Sequence, residues 1–136
     1  MPKFSQESFS KLSTCHIDLQ TLFYEVIKNF DCIIICGQRG EADQEQAFKD
    51  GKTKLHWPSS KHNKIPSMAA DVAPYPLDWS QDKRMYFFAG YVLGIAQKLK
   101  DEGKISHSVR YGGDWNQNYD ITDNKFSDLV HFELVE

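Results

Sequence analysis

A carboxylate sits inside an apolar run, Met68-Ala69-Ala70-Asp71-Val72-Ala73. The run reads as a short strand over Ala69–Ala73, closed by Pro74-Tyr75-Pro76. Burying an ionised side chain there is costly unless it is paired or coordinated. Any fold adopted by this chain must therefore bring Asp71 a partner. That partner is a Lys or Arg, a backbone turn, or a metal ion.

Two other segments supply candidate metal ligands. His62 lies in Ser60-Lys61-His62, on the loop ahead of the strand, and His131 lies about sixty residues beyond Asp71 in Asp128-Leu129-Val130-His131. Two imidazoles and one carboxylate would fill three positions around Zn²⁺ and leave the fourth open. That is the arrangement of catalytic zinc, whereas structural zinc is usually closed by four ligands. Asp128 is then a spare carboxylate, as metal-assisted hydrolysis needs for a general base. On a strand, His131, Glu133 and Val135 share one face, and Val130, Phe132 and Leu134 the other. Taken singly, His131 reads as a hydrogen-bonded structural residue and Asp128 as a solvated turn residue. The metal reading rests on their convergence.

The rest of the pattern predicts an α+β domain. Two helices end near Asn29, and Asp31–Cys36 is a continuous β-branched run that reads as a buried strand. Glu41–Lys49 reads as a short helix stopped at Gly51, and Lys52–Met68 as a long loop. A long helix capped by Ser80 runs through Lys100 and ends at Gly103. Ser108–Tyr111 and Leu129–Val135 read as further strands, separated by the polar, turn-rich stretch Gly112–Asp128. The 136 residues make one domain, able to bury roughly two-thirds of its unfolded surface.

A net charge of −3 gives no electrostatic case for nucleic acid or an anionic membrane. No run is long enough to span a bilayer, and Met1-Pro2-Lys3-Phe4-Ser5 does not open a signal peptide. Synthesis in the cytoplasm is expected. The three cysteines, Cys15, Cys32 and Cys36, form a poor disulfide framework. Cys32 and Cys36, four apart on a strand, are expected on the same side but too distant to bridge.

Further candidates surround the central set. Gln38 and Arg39 follow the first strand, so Arg39 is placed to hold a substrate carboxylate or an oxyanion. A surface Arg in a strand-to-helix turn is the plainer alternative. Trp115, after Gly112-Gly113-Asp114, either walls a substrate groove or packs on the core. Asp114, Asp120 and Asp123 share one loop and could hold a hard cation such as Ca²⁺, although their spacing is not that of an EF-hand. His16, His56 and His107 have no evident partners, and His56 is expected as a solvated loop residue.

Ser60-x-His62…Ala70-Asp71 followed by Asp128-x-x-His131 resembles the zinc DD-/LD-peptidases of the D-alanyl-D-alanine carboxypeptidase and dipeptidase superfamily. The closest resemblance is to short phage endolysins that act as L-alanyl-D-glutamate peptidases. It extends over Gly37-x-Arg39, Asp71-x-Ala73-Pro74-Tyr75, Gly113-Asp114-Trp115-Asn116 and the terminal His131-x-Glu133-Leu134-Val135. The resemblance implies a small antiparallel sheet flanked by helices, the fold shared by DD-peptidases and Hedgehog domains. It implies Zn²⁺ on His62, Asp71 and His131, with Asp128 as general base and Arg39 anchoring the substrate carbonyl. Ser60 and Gln38 would support the site. The expected substrate is the peptide stem of peptidoglycan. A holin-type pore would give access to the wall, the enzyme being a monomer without a separate wall-binding domain. Many members place the Asp seven residues after the first His. Here the step from His62 to Asp71 is nine, and the added residues are expected to alter the substrate rim. A D-alanyl-D-alanine carboxypeptidase, a non-catalytic zinc module and a metal-free muramidase with paired carboxylates are the alternatives.

Overall fold

The computed structural model describes residues 2–136; Met1, part of the stretch read for a signal, lies outside the described residues. Helix α1 spans Gln6–Leu12 and α2 spans Ile17–Ile27. Strand β1 is Cys32–Cys36, α3 is Glu41–Lys49, β2 is Ala69–Pro74, α4 is Asp82–Asp101, β3 is Ser108–Tyr111 and β4 is His131–Val135. Short 3-10 turns occur at Lys61–Asn63 and Ile121–Asp123. No described helix is long and apolar enough to cross a membrane.

The strands form one antiparallel sheet in the order β1–β2–β4–β3. Every residue of β2 is buried, as expected of a central strand. Period-two alternation divides its side chains. Ala70 and Val72 join the main core, while Asp71 faces the other way. Strand β4 divides likewise: Phe132 and Leu134 enter the core, and His131 and Glu133 share the face of Asp71.

The core is built by α2 and α4 against one face of the sheet. Helix α2 presents Leu19, Leu22, Phe23, Val26 and Ile27, and α4 presents Phe88, Ala89, Val92, Ala96 and Leu99. Both sets recur at three- and four-residue steps, the spacing of one helix face. The Phe132 ring lies 5.6 Å from Phe23 edge-on and 5.1 Å from Tyr111 in a stack. These contacts brace the back of the strand that carries His131.

Two local expectations need correction. Helix α4 begins at Asp82 with Gln81 at its N-cap, and Ser80 is instead spent on the Asp78 carboxylate. Cys32 and Cys36 do not share a face. The register slips between Ile34 and Cys36, so Ile35 is an extra residue opposite β2. A bulge of this kind reverses alternation beyond it. Cys32 stays in the core, whereas Cys36 comes opposite Asp71.

Gly37 follows the bulge and is packed against α1. A Cβ added there would meet the Lys11 carbonyl oxygen and Thr14 Oγ1 at 2.4 Å. Gly37→Ala must displace the end of α1, and should destabilise the protein by about 1–3 kcal/mol in chemical denaturation.

Candidate active site

Register across three strands sets the centre of the site. Cys36 pairs with Asp71, and Asp71 pairs with His131, so the three lie in one row on the face opposite the α2–α4 core. His62 arrives from the 3-10 turn. Ser60 caps that turn, its hydroxyl accepting from His62 N at 3.2 Å, while Asn63 Oδ1 accepts from Ser60 N at 3.0 Å. The Arg39 backbone N–H donates to the His62 carbonyl at 2.7 Å, locking the turn to the end of β1.

His62 Nε2 lies 3.1 Å and His131 Nδ1 lies 3.3 Å from the same oxygen, Asp71 Oδ1. His62 Nδ1 lies 2.7 Å from the Gly37 carbonyl, which can only accept. His131 Nε2 lies 2.9 Å from Glu133 Oε1. Each ring therefore spends its N–H on an outer acceptor and turns its remaining nitrogen on Asp71. Nitrogen lone pairs and a carboxylate converging on one point need a positive charge between them. Protons on the two rings, or a dication bound to both nitrogens and Asp71, would supply it. The donor set of two imidazoles and one carboxylate fits Zn²⁺. Among the described residues, His62, Asp71 and His131 form one of two groupings whose ligand atoms lie within 4.8 Å of one another.

Electrostatics follow this geometry. Burial disfavours a charged His62, but Asp71 beside it overrides that and pushes its pKa up to about 10. His131 is raised for the same reason, burial being outweighed by Asp71 and Glu133. The two rings hold Asp71 well below the ordinary carboxylate range despite its burial. Asp128 moves the opposite way. Burial, helped by the Asp71 charge, pushes it up to about 6. Its Oδ2 is 4.0 Å from His131 Nδ1, at the edge of the ligand set. Gly112 makes that position possible: Asp128 N donates to the Gly112 carbonyl at 3.0 Å, and a Cβ on Gly112 would meet the Asp128 carbonyl oxygen at 2.3 Å.

Arg39 reaches the same centre, one guanidinium nitrogen lying 3.5 Å from Asp71 Oδ2. The site opens into a cleft of about 1100 Å³ that Arg39, Ser60, Asp128 and Trp115 also line. The Trp115 ring stands 5.3 Å from His131, its Nε1 donating to the Phe126 carbonyl. Gln38 is not part of the cleft wall. Its backbone N–H donates to Thr14 Oγ1 and its amide to the Arg39 carbonyl.

Sequence reasoning missed several participants. Glu133 Oε1 orients His131, and its Oε2 takes Arg110 Nε at 3.1 Å and Nη2 at 2.6 Å, with Lys61 Nζ at 3.4 Å. The period-two face shared with His131 was the available signal. Cys36 was missed because a bulge is invisible in composition. Against burial, His62 and Arg39 draw its thiol pKa down. The other grouping joins His16, Asp18 and His107. There Asp18 Oδ2 already accepts from Ser106 and from His107 Nδ1 at 2.7 Å, and His16 Nδ1 accepts from Asp18 N to cap α2. That cluster fastens α2 to the segment before β3. His56 pairs with Glu45 at 2.7 Å and stacks on Phe48. Asp114, Asp120 and Asp123 form no comparable grouping.

The long step from His62 to Asp71 does not build the substrate rim. Met68 N donates to the Lys61 carbonyl at 3.0 Å and closes the extra residues into a side loop. Ser67 is tied to Thr14 and His16, and Ile65 at the tip is 85% exposed. Residues 63–68 do not line the cleft.

The profile of the phage L-alanyl-D-glutamate peptidases matches residues 1–135. The chain belongs to that family. Among solved structures, the L-Ala D-Glu endopeptidase ChiX of Serratia marcescens superposes with a TM-score of 0.64 at 18% identity, over 99% of this chain and 90% of that one. That likeness establishes the shared fold. No curated protein sequence matches the chain.

Glu133→Gln keeps the size of the side chain but weakens its hold on His131. It should lower zinc affinity by about 10- to 100-fold in chelator competition. Burial resists ionisation of Glu133, but His131 and Arg110 draw its pKa down to about 2 from 4.5. The folded pKa is depressed, so its stabilisation is present above about 4.5 and is lost as pH falls towards 2. Acid unfolding of Glu133→Gln should be correspondingly flatter across that window.

Proposed function

We propose that the chain is a zinc-dependent peptidase that hydrolyses the L-alanyl–D-glutamate bond in the peptide stem of peptidoglycan, as a phage endolysin. Membership of the family supports the bond and the substrate. The observation that carries the metal reading is the convergence of His62 Nε2 and His131 Nδ1 on one oxygen of Asp71. The Serratia fold neighbour, itself an L-Ala D-Glu endopeptidase, is in keeping with it.

Zinc, when bound by His62, Asp71 and His131, supplies a Lewis acid and makes a water acidic enough to react near neutral pH. The chain's own residues do the rest. Asp128, at the rim of the ligand set, accepts the proton of the attacking water. Its elevated pKa makes it a base that can also hand that proton to the leaving amine. The Arg39 guanidinium faces the carbonyl oxygen as negative charge grows on it. Glu133 and the Gly37 carbonyl keep both imidazoles in the tautomer that points a lone pair inward. Trp115 walls the cleft beside His131. Action as a monomer that reaches the wall through a holin-type pore belongs to the same proposal.

Mass spectrometry of peptidoglycan digests tests the reading. Products ending in muramoyl-L-alanine, with new D-glutamate amino termini, are expected. Free reducing sugars would indicate a muramidase, and release of D-alanine alone a carboxypeptidase. Asp128→Asn should retain one zinc per chain and lose about 10²- to 10⁴-fold in kcat. Asp128 serves as a base only when ionised, so wild-type activity should fall as pH drops through its pKa. A bound dication lowers that value, which places the acid limb at or below about 6.

A further inference from the structure

Gln44 lies on α3 and has no exposed surface, although most of that helix is polar and solvated. A buried amide is tolerated when its groups are bonded. Its oxygen accepts from Arg39 Nη1 at 3.0 Å and from Asn63 Nδ2 at 3.1 Å, and its nitrogen donates to the Leu55 carbonyl at 2.7 Å.

Each bond reaches a different part of the site. Arg39 is the cation beside Asp71. Asn63 ends the turn that carries His62 and also donates to the Arg39 carbonyl at 3.0 Å. Leu55 belongs to the rim loop, where Lys54 Nζ stands 4.7 Å over the Phe126 ring. Both Lys54 and Phe126 line the cleft.

Arg39 is under a competing pull. A guanidinium beside a carboxylate tends towards a bidentate pair with contacts of about 2.7–2.9 Å. The observed contact to Asp71 is single and longer, at 3.5 Å. Full collapse onto Asp71 would compete for the carboxylate proposed to bind zinc and withdraw the cation from the cleft. A neutral acceptor at Gln44 holds Nη1 away without adding a charge.

We propose that Gln44 is a positioning residue: its oxygen keeps the Arg39 guanidinium poised between Asp71 and the cleft, and its nitrogen fastens the rim loop to that arrangement. The inference rests on the role given to Arg39 under the proposed hydrolysis.

The test uses zinc-loaded wild type, Gln44→Leu, Gln44→Glu, Arg39→Lys and Gln44→Leu/Arg39→Lys on purified peptidoglycan, with limited trypsin digestion of the same proteins. Gln44→Leu should lower kcat about 10- to 100-fold with little change in KM and an unchanged zinc content. Its loss should not multiply with that of Arg39→Lys, since both remove the same placed cation. Trypsin should cut faster after Lys52 and Lys54 in Gln44→Leu and Gln44→Glu, but not in Arg39→Lys. Gln44→Glu keeps the acceptor for Arg39 and loses the donor to Leu55, so it should retain more kcat than Gln44→Leu. A folded Gln44→Leu with wild-type kcat, or losses that multiply, would overturn the proposal. If Gln44→Leu does not fold, wild-type trypsin resistance of the rim in Gln44→Glu overturns it instead. Digestion needs no turnover, so a wild type that leaves peptidoglycan intact would refute the hydrolysis reading separately.

Discussion

One oxygen of Asp71 is the point on which the site turns. It lies on a central strand, buried on both sides, and faces ring nitrogens from a neighbouring strand and from a turn outside the sheet. A carboxylate in that setting is tolerable only while positive charge stays beside it. The fold is organised to keep it there. Antiparallel pairing puts His131 opposite, the capped turn at Ser60 delivers His62, and Arg39 approaches the second oxygen. Removing one of these leaves an uncompensated buried charge.

The two aspartates at the centre show how environment divides labour between identical side chains. Asp71 is surrounded by cations and stays ionised far below neutrality. Asp128, at the edge of the same cluster, has burial and the Asp71 charge against it, which push its pKa up to about 6. Outside them lies a ring of fixed acceptors, Gly37 and Glu133, that orient the imidazoles, and a buried amide, Gln44, that orients the guanidinium.

The parts of this arrangement that follow from a regular period were legible in the sequence. Alternation along β4 put His131 and Glu133 on one face, the apolar run of β2 marked Asp71 as a buried carboxylate in need of a partner, and helical spacing placed α2 and α4. The rest depended on geometry that composition does not carry. A one-residue bulge brings Cys36 to the site and separates it from Cys32. A backbone bond from Met68 to Lys61 turns the added residues of the His62–Asp71 step away from the cleft. Gln44 looked like one polar residue among many on a solvated helix, and only its three partners reveal why it is buried. His107 lacked a sequence partner because Asp18, which holds it, is distant along the chain.

The side loop at Lys64–Ser67 has a further consequence. Its base is stitched to Lys61 and to the α1–α2 junction, and its tip points into solvent on a flank that the cleft never touches. Chain length at the tip is mechanically uncoupled from the ligands on either side of it. A fluorophore or affinity tag grafted near Ile65 would report on the protein from outside its working face.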